Sequence, residues 1–191
     1  MSGVGLLHRH KTIDVRSVGD GRFVITVGFC DEDHDAGLEV CVEVASRRIV
    51  AASAVFRRAP YGERCAAVAG RAGRLLGLEV EPGCSRAVYR AVGGPEGCTH
   101  LVEMVMDALR AYLPALGRQE MLKVAAACRR AGLDGEEAQR RALQHIHRLG
   151  LRLLPDTCVV YRRGAGHTLP GAGAAGPAAP PEGRGSKEGP S

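Results

Sequence analysis

Leu38-Glu39-Val40-Cys41-Val42-Glu43-Val44 is the stretch that decides the fold. Successive side chains of an extended chain point to opposite faces. Leu38, Val40, Val42 and Val44 therefore share one apolar side, and Glu39, Cys41 and Glu43 share the other. Just upstream, Phe23, Ile25 and Val27 repeat the alternation. Gly19-Asp20-Gly21 before them supplies a tight turn, because Gly and Asp tolerate positive φ. Ile13 and Val15 begin a strand ahead of that turn. Downstream, Ser46-Arg47-Arg48 leads into a fourth strand from Ile49 to Phe56. Short connections between alternating strands predict an antiparallel meander over residues 11–56.

The period changes at Pro60, a residue suited to the start of a helix because its missing N–H costs nothing there. Cys65, Val68, Ala69, Ala72, Leu75 and Leu76 then recur at helical spacing, and Gly77 ends that run. Pro82 opens a short helix carrying Ala87, Val88 and Val92, closed by Gly93-Gly94. Thr99 is placed to cap a third helix, with Leu101, Val105, Ala108, Leu109 and Tyr112 carrying it to Pro114. Two further helices are predicted, from Glu120 to Ala131 and from Asp134 to about Leu149. Thr157 to Tyr161 reads as a last short strand. Beyond Gly164 the chain is mostly Gly, Ala, Pro and Ser. Such a segment buries too little apolar surface to offset its ordering entropy, so 164–191 is expected to be a disordered tail. The fold class expected is α+β, an antiparallel meander packed against several helices. One domain is expected over residues 6–162, β-rich at 11–56 and helical at 60–149.

Composition narrows the function classes. Hydrophobic residues make up 45% of the 191, but aromatics only 4%, with no Trp. The core must be built from Ala, Val and Leu, and few rings remain to stack on bases, which disfavours nucleic-acid partners. The net charge of +5 comes from dispersed arginine pairs such as Arg47-Arg48, Arg57-Arg58 and Arg140-Arg141, which suit solvated faces. No window approaches the apolar length of a membrane helix, and residues 1–8 hold no apolar run of signal-peptide length. Seven cysteines, an odd number without tight repeated spacing, fit reduced thiols in a cytoplasmic protein better than a disulfide framework.

The chemistry-bearing constellation is Gly97-Cys98-Thr99-His100-Leu101. Cys98 and His100 fall at the start of a helix, so one side chain comes from the loop and the other from the first turn. Cys65 falls near the start of an earlier helix, after a strand and a Pro-Tyr-Gly turn. Partial positive charge at a helix N-terminus favours a thiolate. Thiolate and imidazole are ligands for tetrahedral zinc, and thiolates hold iron–sulfur clusters. Cys158 on the last expected strand is a candidate fourth ligand. No CxxC pair is present, and free cysteine also serves as a small core residue. Cys30, Cys84 and Cys128 are read that way, and Cys41 faces the polar side of its strand. Asp31, Asp33 and Asp35 lack the residue order of a calcium loop and read as a solvated turn. His145 and His147 lie on different helix faces, which disfavours joint ligation.

Ala59-Pro60-Tyr61-Gly62 with Cys65, Leu76-Gly77-Leu78-Glu79-Val80, Pro82-Gly83, Gly93-Gly94 and Gly97-Cys98-Thr99-His100-Leu101-Val102-Glu103 resemble a bacterial family, domain of unknown function 2889. His8-Arg9 and Asp156-Thr157-Cys158 fit it as well. The resemblance implies a consistent fold and carries no activity. The chain is also distantly similar to iron–sulfur scaffold proteins of the IscU and NifU N-terminal type. In those, a meander ends in a strand like Arg48 to Phe56, a Cys-containing turn enters a helix as at Tyr61 to Ala69, and a later helix begins at a His-Cys pair, as at Cys98. The scaffold's first ligand Cys has no counterpart at 31–37, where this chain offers Asp33 and Asp35. His100 follows Cys98 by two instead of preceding the Cys directly.

The function expected from these residues is a metal-binding or iron–sulfur-related accessory protein. It would hold zinc or an iron–sulfur cluster on Cys65, Cys98, His100 and Cys158, and serve a protein partner. Two other classes stay open. One is a thiol enzyme with Cys98 as nucleophile and His100 or His8 as base. The other is a non-catalytic binding module whose cysteines are structural.

Overall fold

A computed structural model describes residues 4–133 and 135–163 of the chain. The alternation of apolar side chains is realised as four strands: β1 His10–Ser17, β2 Arg22–Cys30, β3 Asp35–Glu43 and β4 Arg48–Arg58. They form one antiparallel sheet in the order β1-β2-β3-β4. Gly19, Asp20 and Gly21 all take positive φ between β1 and β2, and Arg22 N–H donates to Gly19 O at 3.0 Å. The register pairs Phe23 with Val42, Ile25 with Val40, Val27 with Leu38 and Phe29 with Ala36, all eight fully buried. The opposite face carries Thr12, Thr26, Gly28, Glu39 and Ser53 and lies towards solvent. A one-residue slip would exchange the two faces, so the alternation fixes the register.

Helices cover the apolar face. After β4 come α1 Glu63–Ala69, a 3-10 helix Gly70–Leu75 and α2 Ser85–Val92. The 3-10 helix contributes Ala72 and Leu75 to the core and α2 contributes Val88 and Val92. The link between them, Leu78 to Val80, lies along the start of β4. There Ile49 N–H donates to Leu78 O at 3.0 Å and Val80 N–H to Arg47 O at 2.7 Å, and Arg47 Nη2 meets Glu79 at 2.6 Å. The longest helix, α3 Thr99–Arg130, supplies Leu101, Met104, Val105, Ala108, Leu109, Tyr112 and Leu116 to the same core. The Tyr112 ring packs on Phe23 at 5.8 Å between centroids.

Contacts divide the chain into one compact unit up to Glu120 and another from Met121. In the second unit, α3 ends at Arg130. Gly132 with positive φ turns the chain, and Leu133 N–H donates back to Cys128 O at 2.9 Å. Helix α4, Gly135–Leu153, buries Ala142 and Gly150, and Leu143, Ile146 and Leu149 are half-buried. Tyr161 lies against Gly150, where a Cβ would overlap the tyrosine ring.

Three expectations from the sequence need correction. The helices expected on either side of Pro114 are one helix. Residues 157–161 are not a strand: Val159–Tyr161 form a 3-10 turn, closed by Tyr161 N–H donating to Cys158 O at 3.1 Å. Thr99 is the first helical residue, and the capping position falls to Cys98, whose carbonyl accepts from Val102 N–H at 3.0 Å. The segment expected to be a tail, 164–191, and the helix start at Asp134 lie outside the described residues. No helix among the described residues is long and apolar enough to cross a membrane.

Candidate functional site

The first unit holds a cleft of about 800 Å3. Three stretches wall it: His34 from the β2–β3 loop, Pro60 to Arg71 from the β4–α1 turn onward, and Gly94 to His100 leading into α3. Local sequence explains each wall. Pro60, Tyr61 and Gly62 form a turn in which Gly62, at φ 49°, precedes α1, so Cys65 falls on the third residue of the helix. Gly94 takes φ 74° and opens the second turn. A side chain at Gly97 would press on the carbonyl oxygens of Val92 and Gly93, so only glycine lets the chain fold this closely. Cys98 N–H then donates to Val92 O at 2.9 Å and sets Cys98 at the head of α3. Cys65, Cys98 and His100 thus line the same cleft, each half-buried. Cys158 belongs to the second unit and is exposed.

Asp31 organises the third wall, and it is not a solvated turn residue as the charge pattern suggested. Its side chain is 1% exposed. Asp31 Oδ1 accepts from the N–H groups of Asp33 at 3.0 Å and His34 at 2.8 Å, closing an Asx turn. Arg9 donates from Nε and Nη2 to Asp31 Oδ2, at 3.2 and 2.8 Å. Burial alone would raise the Asp31 carboxyl. The hydrogen bonds from Arg9, His34 and the loop backbone outweigh it and hold the group well below the usual carboxylate range. Arg58 Nη2 grips the same loop through Asp31 O at 2.6 Å and His34 O at 3.2 Å.

Two imidazoles meet above this carboxylate. His34 Nδ1 bonds to Asp31 Oδ1 at 2.9 Å. The carboxylate can only accept, so Nδ1 carries a proton and Nε2 is the ring atom left to face the cleft side. His100 lies 4.1 Å from His34 between ring centroids, and both rings pack on Phe29, at 5.2 Å for His100 and 5.7 Å for His34. Arg9 covers Phe29 with its guanidinium 4.5 Å from the ring centroid. Burial, reinforced by neighbouring His34 and Arg9, pushes His100 below the usual imidazole value of 6.5. It is therefore a neutral donor near pH 7. Alongside, Lys11 bridges Glu103 and Asp107 of α3, so the head of this helix is tied to β1.

His34, Asp31, Arg64 and Arg71 are the site residues that sequence reasoning missed. The one local signal was Asp31 three residues ahead of His34, the spacing of a side-chain-closed turn. His8 is exposed, and its backbone N–H donates to Glu32 at 2.8 Å. Cys128 is buried, as expected for a packing residue. Cys30 is exposed and Cys84 only half-buried at the cap of α2, so neither fits the packing role expected of it. Among the described residues, no three of His, Cys, Asp and Glu stand close enough to hold a metal ion as the side chains are placed.

The arrangement defines an α+β protein in which a four-stranded meander carries helices on one face and a Cys/His-lined cleft beside the head of the longest helix. The chain belongs to the family described as "Protein of unknown function (DUF2889)", whose model matches residues 9–113, more than half of it. No curated protein and no solved structure matches it.

Proposed function

We propose that the protein is a metal-binding accessory protein that takes zinc or an iron–sulfur species in this cleft, on Cys65, Cys98 and His100. The observation that carries this reading is the presence of two thiols and two imidazoles on the walls of one cleft. The donor types fit such a group: thiolate and neutral imidazole are the ligands zinc prefers, and thiolates hold iron–sulfur clusters. His34 enters as a donor through Nε2, with Asp31 behind it as the carboxylate that orients a ligating histidine. Closing on one centre requires these side chains to move from their placed positions. When bound, the metal would supply Lewis acidity or electron transfer. The chain's own part is to hold His34 in one tautomer and to keep His100 unprotonated.

The test is metal analysis of the full chain purified without oxygen. Retained zinc near one equivalent, or about two to four irons with matching sulfide, is expected, lost in Cys98→Ser and kept in Cys128→Ser. Substituting His34 by Gln should weaken zinc affinity about tenfold or more. Negligible metal in the unmodified protein, or metal that survives Cys98→Ser, would overturn the reading. Rapid alkylation of Cys98 at neutral pH without chelator would then favour the thiol enzyme.

A further inference from the structure

The cleft holds a second chemical character that metal ligation does not use. Arg64 on α1 and Arg71 on the 3-10 helix both line it. Several arginines elsewhere are matched to carboxylates, Arg9 with Asp31, Arg47 with Glu79, Arg57 with Asp35 and Arg141 with Glu137, whereas others stand on open surface. Among the described residues, neither Arg64 nor Arg71 has such a partner. Arg71 is the sharper case. Its neighbours Ala72 and Leu75 are fully buried, which fixes the 3-10 helix against the core. Its Nε is shielded from solvent and has no acceptor. A buried donor on a charged group is rarely left so in a native protein unless water or a ligand completes it.

The remaining lining accords with an anion. Glu96 is the single carboxylate there and pairs with neither arginine. Tyr61 and Thr99 add hydroxyl groups. The volume of about 800 Å3 is that of a small-molecule site. We infer that the cleft binds a small-molecule anion whose carboxylate or phosphate group is held by Arg71 and Arg64, with the rest of the molecule reaching towards Cys65 and Cys98. Guanidinium forks match both kinds of oxyanion in two-point contact. The inference deepens the metal reading by naming the class of molecule brought to that centre, but the anion contacts themselves need no ion.

The test uses the full chain, metal-free in chelator and reductant, with the arginine Nε–H signals followed by nitrogen-15 NMR. Inorganic phosphate and succinate are titrated separately against sodium chloride at matched ionic strength. A saturable shift of the Arg71 signal is expected with at least one of them, while Arg110, an exposed side chain, stays put. Saturation by phosphate alone assigns a phosphorylated ligand, and by succinate alone a carboxylate. Arg71→Lys should weaken the binding about tenfold. Arg64→Ala, a surface change that leaves the fold intact, should weaken it severalfold. The anion titration runs in chelator and the metal analysis without it, so the two proposals fail separately. Shifts no larger than those with chloride, or an affinity unchanged in both Arg71→Lys and Arg64→Ala, would overturn the inference.

Discussion

Adding one methyl group at Gly97 tests how the cleft is built. In Gly97→Ala the new Cβ falls closer than 3.0 Å to the carbonyl oxygens of Val92 and Gly93, which are backbone and cannot swing away. The turn must open, and the Cys98 N–H bond to Val92 O, now 2.9 Å, lengthens or breaks. Overpacking that forces backbone shifts costs about 1–3 kcal/mol. Losing a backbone hydrogen bond adds about 0.5–1.5 kcal/mol. The sum is about 2–4 kcal/mol, a large share of a small domain's stability. With a urea slope of about 2 kcal/mol/M, the midpoint should fall by about 1–2 M. Far-UV circular dichroism in reducing buffer reads it. Gly73→Ala is the control, since a Cβ there meets nothing within 4 Å and φ is not positive. Its midpoint should move by no more than about 0.3 M. If Gly97→Ala unfolds with the wild-type midpoint, the tight turn is not what seats Cys98.

Three further outcomes follow from the same contacts. The Asp31 carboxyl sits below its unfolded value of 3.8, so its contribution is complete above that pH and is lost as pH falls further; acid titration of Asp31→Asn should show lower stability near neutrality and a shallower loss below pH 4 than the wild type. His100 is depressed from 6.5, so the unfolded chain binds its proton first and stability declines as pH drops through that value; in chelator, His100→Gln should flatten the slope of stability between pH 7 and 5. In the second unit, Gly150→Ala overlaps the Tyr161 ring, and hydrogen exchange at Tyr161 and Arg162 should quicken as the 3-10 turn lifts from α4; unchanged protection would show that the turn is not seated there.

The sheet was legible because its signal is local. Leu38 to Val44 and Phe23 to Val27 alternate strictly, and hairpin-length connections leave little choice of order. Pro114 misled because the apolar face of α3 lies outside any proline rule. Leu109, Tyr112 and Leu116 are buried on both sides of it at helical spacing, so core packing carries the helix through one missing hydrogen bond. Cys158 to Tyr161 has strand-like composition but no neighbouring strand among the described residues, and it closes as a turn over Gly150. At the site, the sequence pointed to Cys65, Cys98 and His100, since each is marked by a turn or a helix start. It could not point to Arg71 or to the burial of Asp31. Those depend on Arg9, on the loop backbone and on a cleft wall assembled from residues far apart in the chain.

The meander order has a consequence for when this cleft comes into being. Every strand pairs with its immediate successor, so each step of sheet formation closes only a short loop, which costs little chain entropy. The walls of the cleft, by contrast, come from residue 34, residues 60–71 and residues 94–100, and wait on the head of α3 reaching Phe29. In a nascent chain all four strands are available once residue 58 has emerged, whereas the cleft needs residue 100. Until then Cys65 lacks Cys98 and His100, and the wall that would complete a ligand site is missing.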